Sequence, residues 1–362
     1  MFVRWESQRT DAEAERRLPG LTRGGTIRTF DAPEAMGIEF LEVEARSAIN
    51  RVPGESLPFN HTVNPYRGCT HACSWCFARP THRYLGLNAR EDFERRIVVK
   101  VNVPERLRVE LAKPSWKRET IALGTNTDPY QWVESRYRLT RAVWEVMIEA
   151  RNPGSVLTKS PLLTRDIDLF RELNEVAGFQ ASLSIPSLDE YAWRANEPHT
   201  PHPRKRVEAI AELSAAGIPV GVLVAPLVPG INDSPEQVEE IVRLCAEAGA
   251  DSIGGLGLHL KGEVKEIFFD WLRAHRPDLV DLYEDLYRRG AFLPKPERDR
   301  MGRMIARARD KAGVGDTGWR EGIRRNRERA RIERAERHRG APDERTEAGG
   351  IAMPLQRQSR LF

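Results

Sequence analysis

Three of the four cysteines of the chain lie in the stretch Arg67-Gly68-Cys69-Thr70-His71-Ala72-Cys73-Ser74-Trp75-Cys76. The spacing C-x3-C-x2-C offers three thiolates to a metal centre. Structural zinc takes four protein ligands and ferredoxin-type clusters usually take four cysteines, whereas three cysteines on a [4Fe–4S] cluster leave one iron without a protein ligand. The spacing therefore predicts a catalytic [4Fe–4S] cluster whose ligands are Cys69, Cys73 and Cys76 and whose fourth iron binds another molecule.

Two alternative interpretations of the cysteine run are a zinc site and a loop with three free thiols. His71 or His82 could supply the fourth ligand to zinc. The second gap of the run suits zinc, but no second cysteine pair and no H-x3-5-H pattern follows it. We therefore favour the iron–sulfur cluster.

The composition is that of a globular protein with a polar excess. The 362 residues are 40% hydrophobic and 30% charged, which suffices for one catalytic domain with appendages. No stretch approaches the roughly 20 apolar residues of a membrane span, and residues 1–6 lack the apolar segment of a signal peptide. Four cysteines, three of them clustered, do not form a disulfide framework, and a low-potential cluster needs reducing surroundings. We therefore expect a cytoplasmic protein.

Between residues 61 and 260 the sequence alternates short β-rich runs with amphipathic helices, which is the pattern of βα units around a parallel sheet. We predict six strands, too few for a full eight-stranded barrel. They span residues 61–67, 120–124, 155–158, 180–185, 219–225 and 251–258. The fourth cysteine, Cys245, recurs with Val238, Ile241 and Val242 at helical spacing, so we expect it in the core.

Polar residues follow several of the predicted strands. They are residues 125–131 after the second strand, Lys159 and Ser160 after the third, Ser184 in the fourth and His259 after the sixth. We interpret Ser160 and His259 as caps or turn residues. Catalytic groups on parallel βα folds gather at the carboxyl ends of the strands, so we expect a site at this edge of the sheet.

The cysteine run, with the aromatic Trp75 directly before its third cysteine, resembles the signature of the radical S-adenosylmethionine (SAM) enzymes. In that family the open iron chelates the amino and carboxylate groups of SAM. The resemblance implies an α/β fold, a partial (βα)6 radical SAM barrel, with the cysteine run in the loop after the first strand. It also implies that an external one-electron donor reduces the cluster, that SAM is cleaved to methionine and a 5′-deoxyadenosyl radical, and that this radical abstracts hydrogen from a substrate.

Within that family, residues 64–82, 125–131 and 158–160 are similar to the spore photoproduct lyase-like branch, also called DNA repair photolyase-related. In particular they resemble an actinobacterial subgroup whose reaction is unassigned. The resemblance covers residues 60–260 well and the two ends poorly. It implies five residues around SAM: Trp75 near the adenine, Thr127 and Asp128 at the amino group and ribose, and Lys159 with Ser184 at the carboxylate.

One departure from that branch concerns the hydrogen donor. Photoproduct lyases place a hydrogen-donating cysteine immediately before the residues that Thr127 and Asp128 resemble, and this chain has Asn126 there. An amide does not quench a carbon radical as a thiol does, so we do not expect thymine dimers to be split with cysteine as donor. Asn126 and Tyr130 are the two candidate catalytic residues, with Tyr130 as another possible donor or a rim aromatic.

Outside the barrel, the sequence predicts four appendages. Residues 1–60 are an extension with little periodicity, 261–295 a helical cover, 296–339 an Arg-rich helical extension and 340–362 a flexible tail. Nine arginines and four glutamates lie between Arg320 and Arg339. Such a helix can bind the phosphates of DNA or RNA, but it is equally typical of a solvated helix with internal ion pairs.

The last residues, Gln358-Ser359-Arg360-Leu361-Phe362, resemble the Q-x-x-L-F peptide by which bacterial DNA-maintenance proteins bind the replication sliding clamp. We predict a radical SAM enzyme acting on an unknown substrate, with a DNA lesion as a candidate. The alternatives are a radical SAM enzyme that modifies RNA or protein, and a zinc-stabilised module that binds nucleic acid or the clamp.

Overall fold

A computed structural model of the chain describes residues 26–52, 57–318, 322–324, 327–328 and 331. Its strands are β1 (Thr26–Arg28), β2 (Glu39–Val43), β3 (Ile49–Arg51), β4 (His61–Val63), β5 (Tyr66–Arg67), β6 (Arg96–Lys100), β7 (Ile121–Leu123), β8 (Gly154–Thr158), β9 (Phe179–Ser184), β10 (Val220–Leu227) and β11 (Ser252–Gly257). Its α-helices are α1 (Glu91–Arg95), α2 (Val103–Leu111), α3 (Glu134–Tyr137), α4 (Leu139–Glu149), α5 (Ile167–Val176), α6 (Glu190–Asn196), α7 (Pro203–Ala215), α8 (Pro235–Glu247), α9 (Glu263–His275), α10 (Val280–Leu286) and α11 (Lys295–Ala312).

Six parallel strands form the main sheet, in the order β11-β10-β9-β8-β7-β4, and β3 pairs antiparallel with β4 at one edge. Helices connect the successive strands from β7 to β11, as parallel pairing requires. The outward face of the sheet packs against them: a side chain at Gly154 would meet Met147, Trp144 and Leu173. The structure therefore confirms the predicted α/β class and the partial (βα)6 barrel.

The first predicted strand, residues 61–67, is wrong as a single element. Strand β4 ends at Val63, and β5 pairs with β6 in a second sheet of order β1-β2-β6-β5. Pro65 lies between the two strands and has no backbone N–H to continue a ladder. The chain leaves the barrel there, immediately before the cysteine run.

The second sheet was not predicted from the sequence. Its strands β1 and β2 belong to the extension 1–60, for which we expected little regular structure, and β6 contains the β-branched run Ile97-Val98-Val99. Strand β6 is central, paired with β2 on one side and β5 on the other. Short strands such as β1 depend on their partners for order, which local sequence does not report.

Helix α11 makes part of the predicted Arg-rich extension integral to the barrel. Its residue Ile305 packs directly over Gly255 of β11, where a Cβ atom would lie 2.7 Å from the Ile305 side chain. After the helix, Gly315 forms a parallel bridge with Ser252. Most of the segment from Arg320 to Arg339, and the whole tail from residue 340, lie outside the described residues.

Two further expectations concern Cys245 and membrane insertion. Cys245 is buried in α8 together with Val238, Ile241 and Val242, as predicted. Burial raises the pKa of its thiol to about 12. Over the described ranges, no helix combines the length and apolarity needed to cross a bilayer.

Lys100, at the end of β6, gives a pH-dependent prediction for stability. Its ammonium group is buried and donates to the Asn64 carbonyl at 2.9 Å. Burial, followed by the nearby Arg67, lowers the pKa of Lys100 from 10.5 to about 7. Between these values the unfolded chain binds more protons than the folded one, so the free energy of unfolding rises with pH, by about 5 kcal/mol at full effect.

Substitution Lys100→Met removes this ionisation. At pH 6 we expect Lys100→Met to be more stable than the wild type, and the difference should shrink as the pH rises towards 10. Urea unfolding of both proteins across this range measures it. Parallel stability profiles for the two proteins would contradict the prediction.

Candidate functional site

The cysteine run forms a buried loop directly after β5. The side chains of Cys69 and Cys73 are buried and Cys76 is half-buried, and all of the described cysteines are free of disulfides. Burial raises the pKa of Cys73 well above its usual value, and burial together with the neighbouring Cys69 raises that of Cys76 to about 11. The three thiols therefore lie close enough to influence one another, and metal coordination would remove their protons.

Arg79 holds this loop from within. Its guanidinium is almost fully buried and donates to the carbonyls of Ala72 and Cys73, each at 2.9 Å, and to that of Ala89 at 3.1 Å. It also forms an ion pair with Glu94. A planar group with five donors can satisfy several loop carbonyls at once, so Arg79 fixes the backbone that carries the cysteines.

Gln131 holds the loop from the side of the barrel. Its side-chain oxygen accepts from the Thr70 amide at 2.9 Å, across 61 residues of sequence. Its amide nitrogen donates to the Gly68 carbonyl at 3.1 Å and to the Thr127 hydroxyl at 3.0 Å. Thr127 in turn donates to the Gly68 carbonyl at 2.6 Å. The segment after β7 is thus tied to the residues at the start of the cysteine run.

Asp128, after β7, is an ionised carboxylate whose two oxygens both already have hydrogen-bond donors. It accepts from the Thr158 hydroxyl at 2.6 Å and from the Lys159 backbone amide at 2.8 Å, and it lies 3.4 Å from the His71 ring. Burial alone would raise the pKa of Asp128, but His71 and these hydrogen bonds keep it below its usual value. Likewise burial opposes protonation of His71, but Cys69 and Asp128 raise its pKa to about 10.

Lys159 and Ser184, at the ends of β8 and β9, are in contact. The Lys159 ammonium donates to the Ser184 hydroxyl at 2.7 Å and forms an ion pair with Glu197 at 2.7 Å. Arg206, which is fully buried, pairs with the other oxygen of Glu197 at 2.7 Å. Burial would raise the pKa of Glu197, but these two cations lower it to about 2. Glu197 is therefore a buried anion between two cations.

The same segment is attached to the cysteine run. Ser74 donates to the side-chain oxygen of Asn196 at 3.0 Å, and its backbone amide donates to the Asn196 carbonyl at 3.0 Å. Asn196 is the residue before Glu197. The cysteine run, Asp128, Lys159 and Ser184 are consequently joined into one continuous hydrogen-bonded site.

Trp75 supplies an observation on what the site can hold. The side chain is buried, yet its indole N–H has no hydrogen-bond partner among the described residues. Such an orphaned donor fits a ligand with nitrogen acceptors, as adenine has. The three thiols suit a three-cysteine [4Fe–4S] cluster. The indole N–H of Trp75 and the Lys159 ammonium are hydrogen-bond donors that suit SAM.

The two candidate catalytic residues lie in different surroundings. Asn126 is half-buried at the carboxyl end of β7 and donates to the Thr81 hydroxyl at 3.5 Å. Tyr130 is almost fully buried, donates to Asp166 at 2.9 Å and accepts from Trp144 at 2.9 Å. Because its hydroxyl is occupied by residues of the helical layer, Tyr130 is poorly placed to donate hydrogen to a substrate.

The two histidines that could complete a zinc site also differ. His82 is buried, binds the Arg96 carbonyl at 3.0 Å and has its pKa lowered to about 4 by burial. His71 lies beside Asp128 and Cys69. In the part of the chain that the structure describes, no three His, Cys, Asp or Glu side chains are gathered around a single-ion site.

Sequence reasoning missed four residues of this site: Arg79, Gln131, Glu197 and Arg206. All four act through buried contacts, and charged side chains such as Arg79, Glu197 and Arg206 are normally expected at the surface. Gln131 belongs to the polar segment after β7 and Arg79 to the stretch 64–82, but neither is distinguished there by its residue type.

Comparison with known proteins agrees with this geometry. Residues 63–245 match the family model of the Radical SAM superfamily. The uncharacterized protein Rv2578c of Mycobacterium tuberculosis is 44% identical over 290 residues, which cover 80% of this chain and 85% of that protein. The Radical SAM Nalpha-GlyT isomerase of Pseudomonas phage M6 is 30% identical over 174 residues, which cover 47% of this chain and 33% of that protein.

The fold is similar to solved structures of spore photoproduct lyase. One, with bound AdoMet and dinucleoside spore photoproduct, has a TM-score of 0.58 and 16% identity and covers 76% of this chain and 80% of that chain. At this identity the likeness concerns the fold alone. The family match spans half of the chain and the mycobacterial relative is matched over most of its length, so the chain belongs to the radical SAM superfamily.

Proposed function

We propose that this radical SAM enzyme holds a [4Fe–4S] cluster through Cys69, Cys73 and Cys76 and abstracts hydrogen from a nucleic-acid substrate. When bound, the cluster and SAM supply a 5′-deoxyadenosyl radical after reduction by an external one-electron donor. The observation that carries the proposal is the buried three-cysteine loop, braced against the polar strand ends that contain Asp128, Lys159 and Ser184.

The residues of the chain bind and orient the two groups. The orphaned N–H of Trp75 supports its role beside the adenine. Lys159 presents a positive charge for the SAM carboxylate, and Ser184 fixes its direction. Asp128 would act on the amino group and ribose through its negative charge, because its oxygens already accept from Thr158 and Lys159. Thr127 contributes indirectly, because its hydroxyl is already donated to the Gly68 carbonyl.

For the substrate we propose a DNA lesion first. The fold likeness to a lyase solved with a dinucleoside photoproduct supports this class. Asn126 in place of a donor cysteine argues against splitting that ends with a protein thiol. The phage relative, named an isomerase, suggests an alternative in which the hydrogen returns to the rearranged product and no separate donor is needed. Modification of RNA or protein remains the second candidate.

The partners are proposed on sequence alone. The Arg-rich segment from Arg320 to Arg339 would bind the phosphates of DNA or RNA, and the peptide from Gln358 to Phe362 would bind a sliding clamp. The peptide, and all but a few residues of the Arg-rich segment, lie outside the described residues.

Formation of 5′-deoxyadenosine tests the function. Anaerobically reconstituted protein with SAM and dithionite should release 5′-deoxyadenosine, with or without added damaged DNA. Cys73→Ala should abolish the product, because one cluster ligand is lost. The matched control is Cys245→Ala, which removes a buried thiol of α8 outside the cysteine run and should retain the activity. Protein that carries zinc without iron, or equal loss in both variants, would overturn the proposal.

A further inference from the structure

Lys159, Ser184, Glu197 and Arg206 form a charged side-chain group. This group contains more charged residues than one lysine needs in order to bind a carboxylate. Glu197 is 1% exposed and Arg206 is 0% exposed, so a carboxylate and a guanidinium have been removed from water. Isolated buried charges are costly, and a buried ion pair is at best weakly stabilising. A role in fixing the position of another group offers a physical reason for this arrangement.

The geometry around the Lys159 ammonium indicates which group is positioned. An ammonium has three N–H donors. The Ser184 hydroxyl accepts one of them at 2.7 Å, and the Glu197 carboxylate forms an ion pair with the ammonium at 2.7 Å. Among the described residues no third acceptor is within hydrogen-bond distance, and the lysine side chain keeps 16% of its surface exposed. These two fixed partners therefore set the position of the ammonium group.

Glu197 is itself held on its far side. Its second oxygen accepts from the Arg206 guanidinium at 2.7 Å, and Arg206 also donates to the Ser184 carbonyl at 2.8 Å and the Thr200 hydroxyl at 2.7 Å. Arg206 thus anchors both partners of Lys159. The two cations, Lys159 and Arg206, and the one anion, Glu197, leave this side-chain group with a net charge of +1. That charge complements the single negative charge of a carboxylate.

We propose that Glu197 is a positioning residue for SAM, which aims the Lys159 ammonium at the carboxylate of its methionine moiety. The inference rests on the proposed function, in which Lys159 binds that carboxylate. Glu197 does not touch SAM in this account. It acts through Lys159, and its carboxylate serves two cations at once because it has two equivalent acceptor oxygens.

The test is equilibrium binding of SAM to anaerobic, cluster-loaded protein. In Glu197→Gln the negative charge is lost and one amide oxygen replaces two carboxylate oxygens, so the side chain can no longer hold Lys159 and Arg206 together. We expect the dissociation constant for SAM to rise at least about tenfold, the loss of one charged hydrogen bond. Decarboxylated SAM, which lacks the carboxylate but keeps the adenosine, sulfonium and amino groups, should bind both proteins within about twofold.

Two further variants separate positioning from general destabilisation. Glu197→Asp keeps the charge but shortens the side chain, and it should weaken SAM binding without affecting decarboxylated SAM. Glu134→Gln is the matched control, because Glu134 is an equally buried carboxylate paired with Arg165 at 2.7 Å, with no contact to Lys159. It should lower stability and leave the affinity for SAM unchanged.

The outcomes distinguish this inference from the proposed function. Wild-type protein that binds no SAM would remove the proposed function itself. Wild-type protein that binds SAM while Glu197→Gln binds it equally well or more tightly would overturn only the positioning role. Equal weakening towards SAM and decarboxylated SAM would also overturn it, because a merely structural residue would affect both ligands.

Discussion

Arg79→Met should give a chain that folds but does not retain its iron–sulfur cluster. The substitution keeps a long apolar stem and removes the donors that bind the carbonyls of Ala72, Cys73 and Ala89. Losing hydrogen bonds from a buried charged group destabilises the loop conformation by about 3 kcal/mol. A loop competent in only about 1% of molecules binds its cluster about 100-fold more weakly.

Iron and sulfide content per chain after reconstitution measures this effect, with urea unfolding of the cluster-free protein to show that the fold persists. Arg83→Met is the matched control. Arg83 belongs to the same 3-10 helix, Arg79–Leu85, but its side chain is 66% exposed and pairs with Glu263 at the surface. It should keep a full cluster. Equal iron content in the two variants would show that Arg79 does not organise the loop.

The parts of the fold that the sequence predicted are those with local signals. Between residues 61 and 260 the pattern of apolar residues indicates which side chains are buried. The predicted ends of the parallel strands therefore agree with the structure to within a few residues. The cysteine run was found because ligand spacing is a local property. Strand β5 was not separated from β4, because the effect of Pro65 depends on which strand the following residues join.

The second sheet and the supports of the site were not predicted, for a common reason. Gln131 contacts Thr70 across 61 residues, and Arg79 and Glu197 are charged side chains that fold into the interior. Hydrophobic periodicity shows which apolar residues are buried and carries no information on which charges accompany them. The sequence therefore predicts the candidate cofactor-binding residues. The buried residues that fix the positions of those side chains become visible only in the structure.

Gly124→Ala should prevent β7 from pairing with β8 and so disrupt both the barrel and the site. Gly124 follows β7 with φ +87°, and a Cβ atom there would lie 1.8 Å from the Leu157 carbonyl oxygen. The carbonyl cannot withdraw, because Leu157 lies within β8, which is paired with β9 on its other side. Backbone strain and this clash together should lower the free energy of unfolding by roughly 4 kcal/mol or more.

A glycine in the same backbone region but in open space separates the two causes. Gly217, after α7, has φ +76°, and a Cβ atom added there would meet nothing within 4 Å. Gly217→Ala therefore suffers the left-handed strain alone and should cost about 1 kcal/mol. Urea unfolding of both variants measures the difference, and the soluble yield should fall only for Gly124→Ala. Similar losses at the two positions would mean that strain dominates and that β7 and β8 can separate enough to accept a methyl group. In that case the positions of Thr127 and Asp128 beside the cysteine loop would not depend on the close approach of β7 and β8.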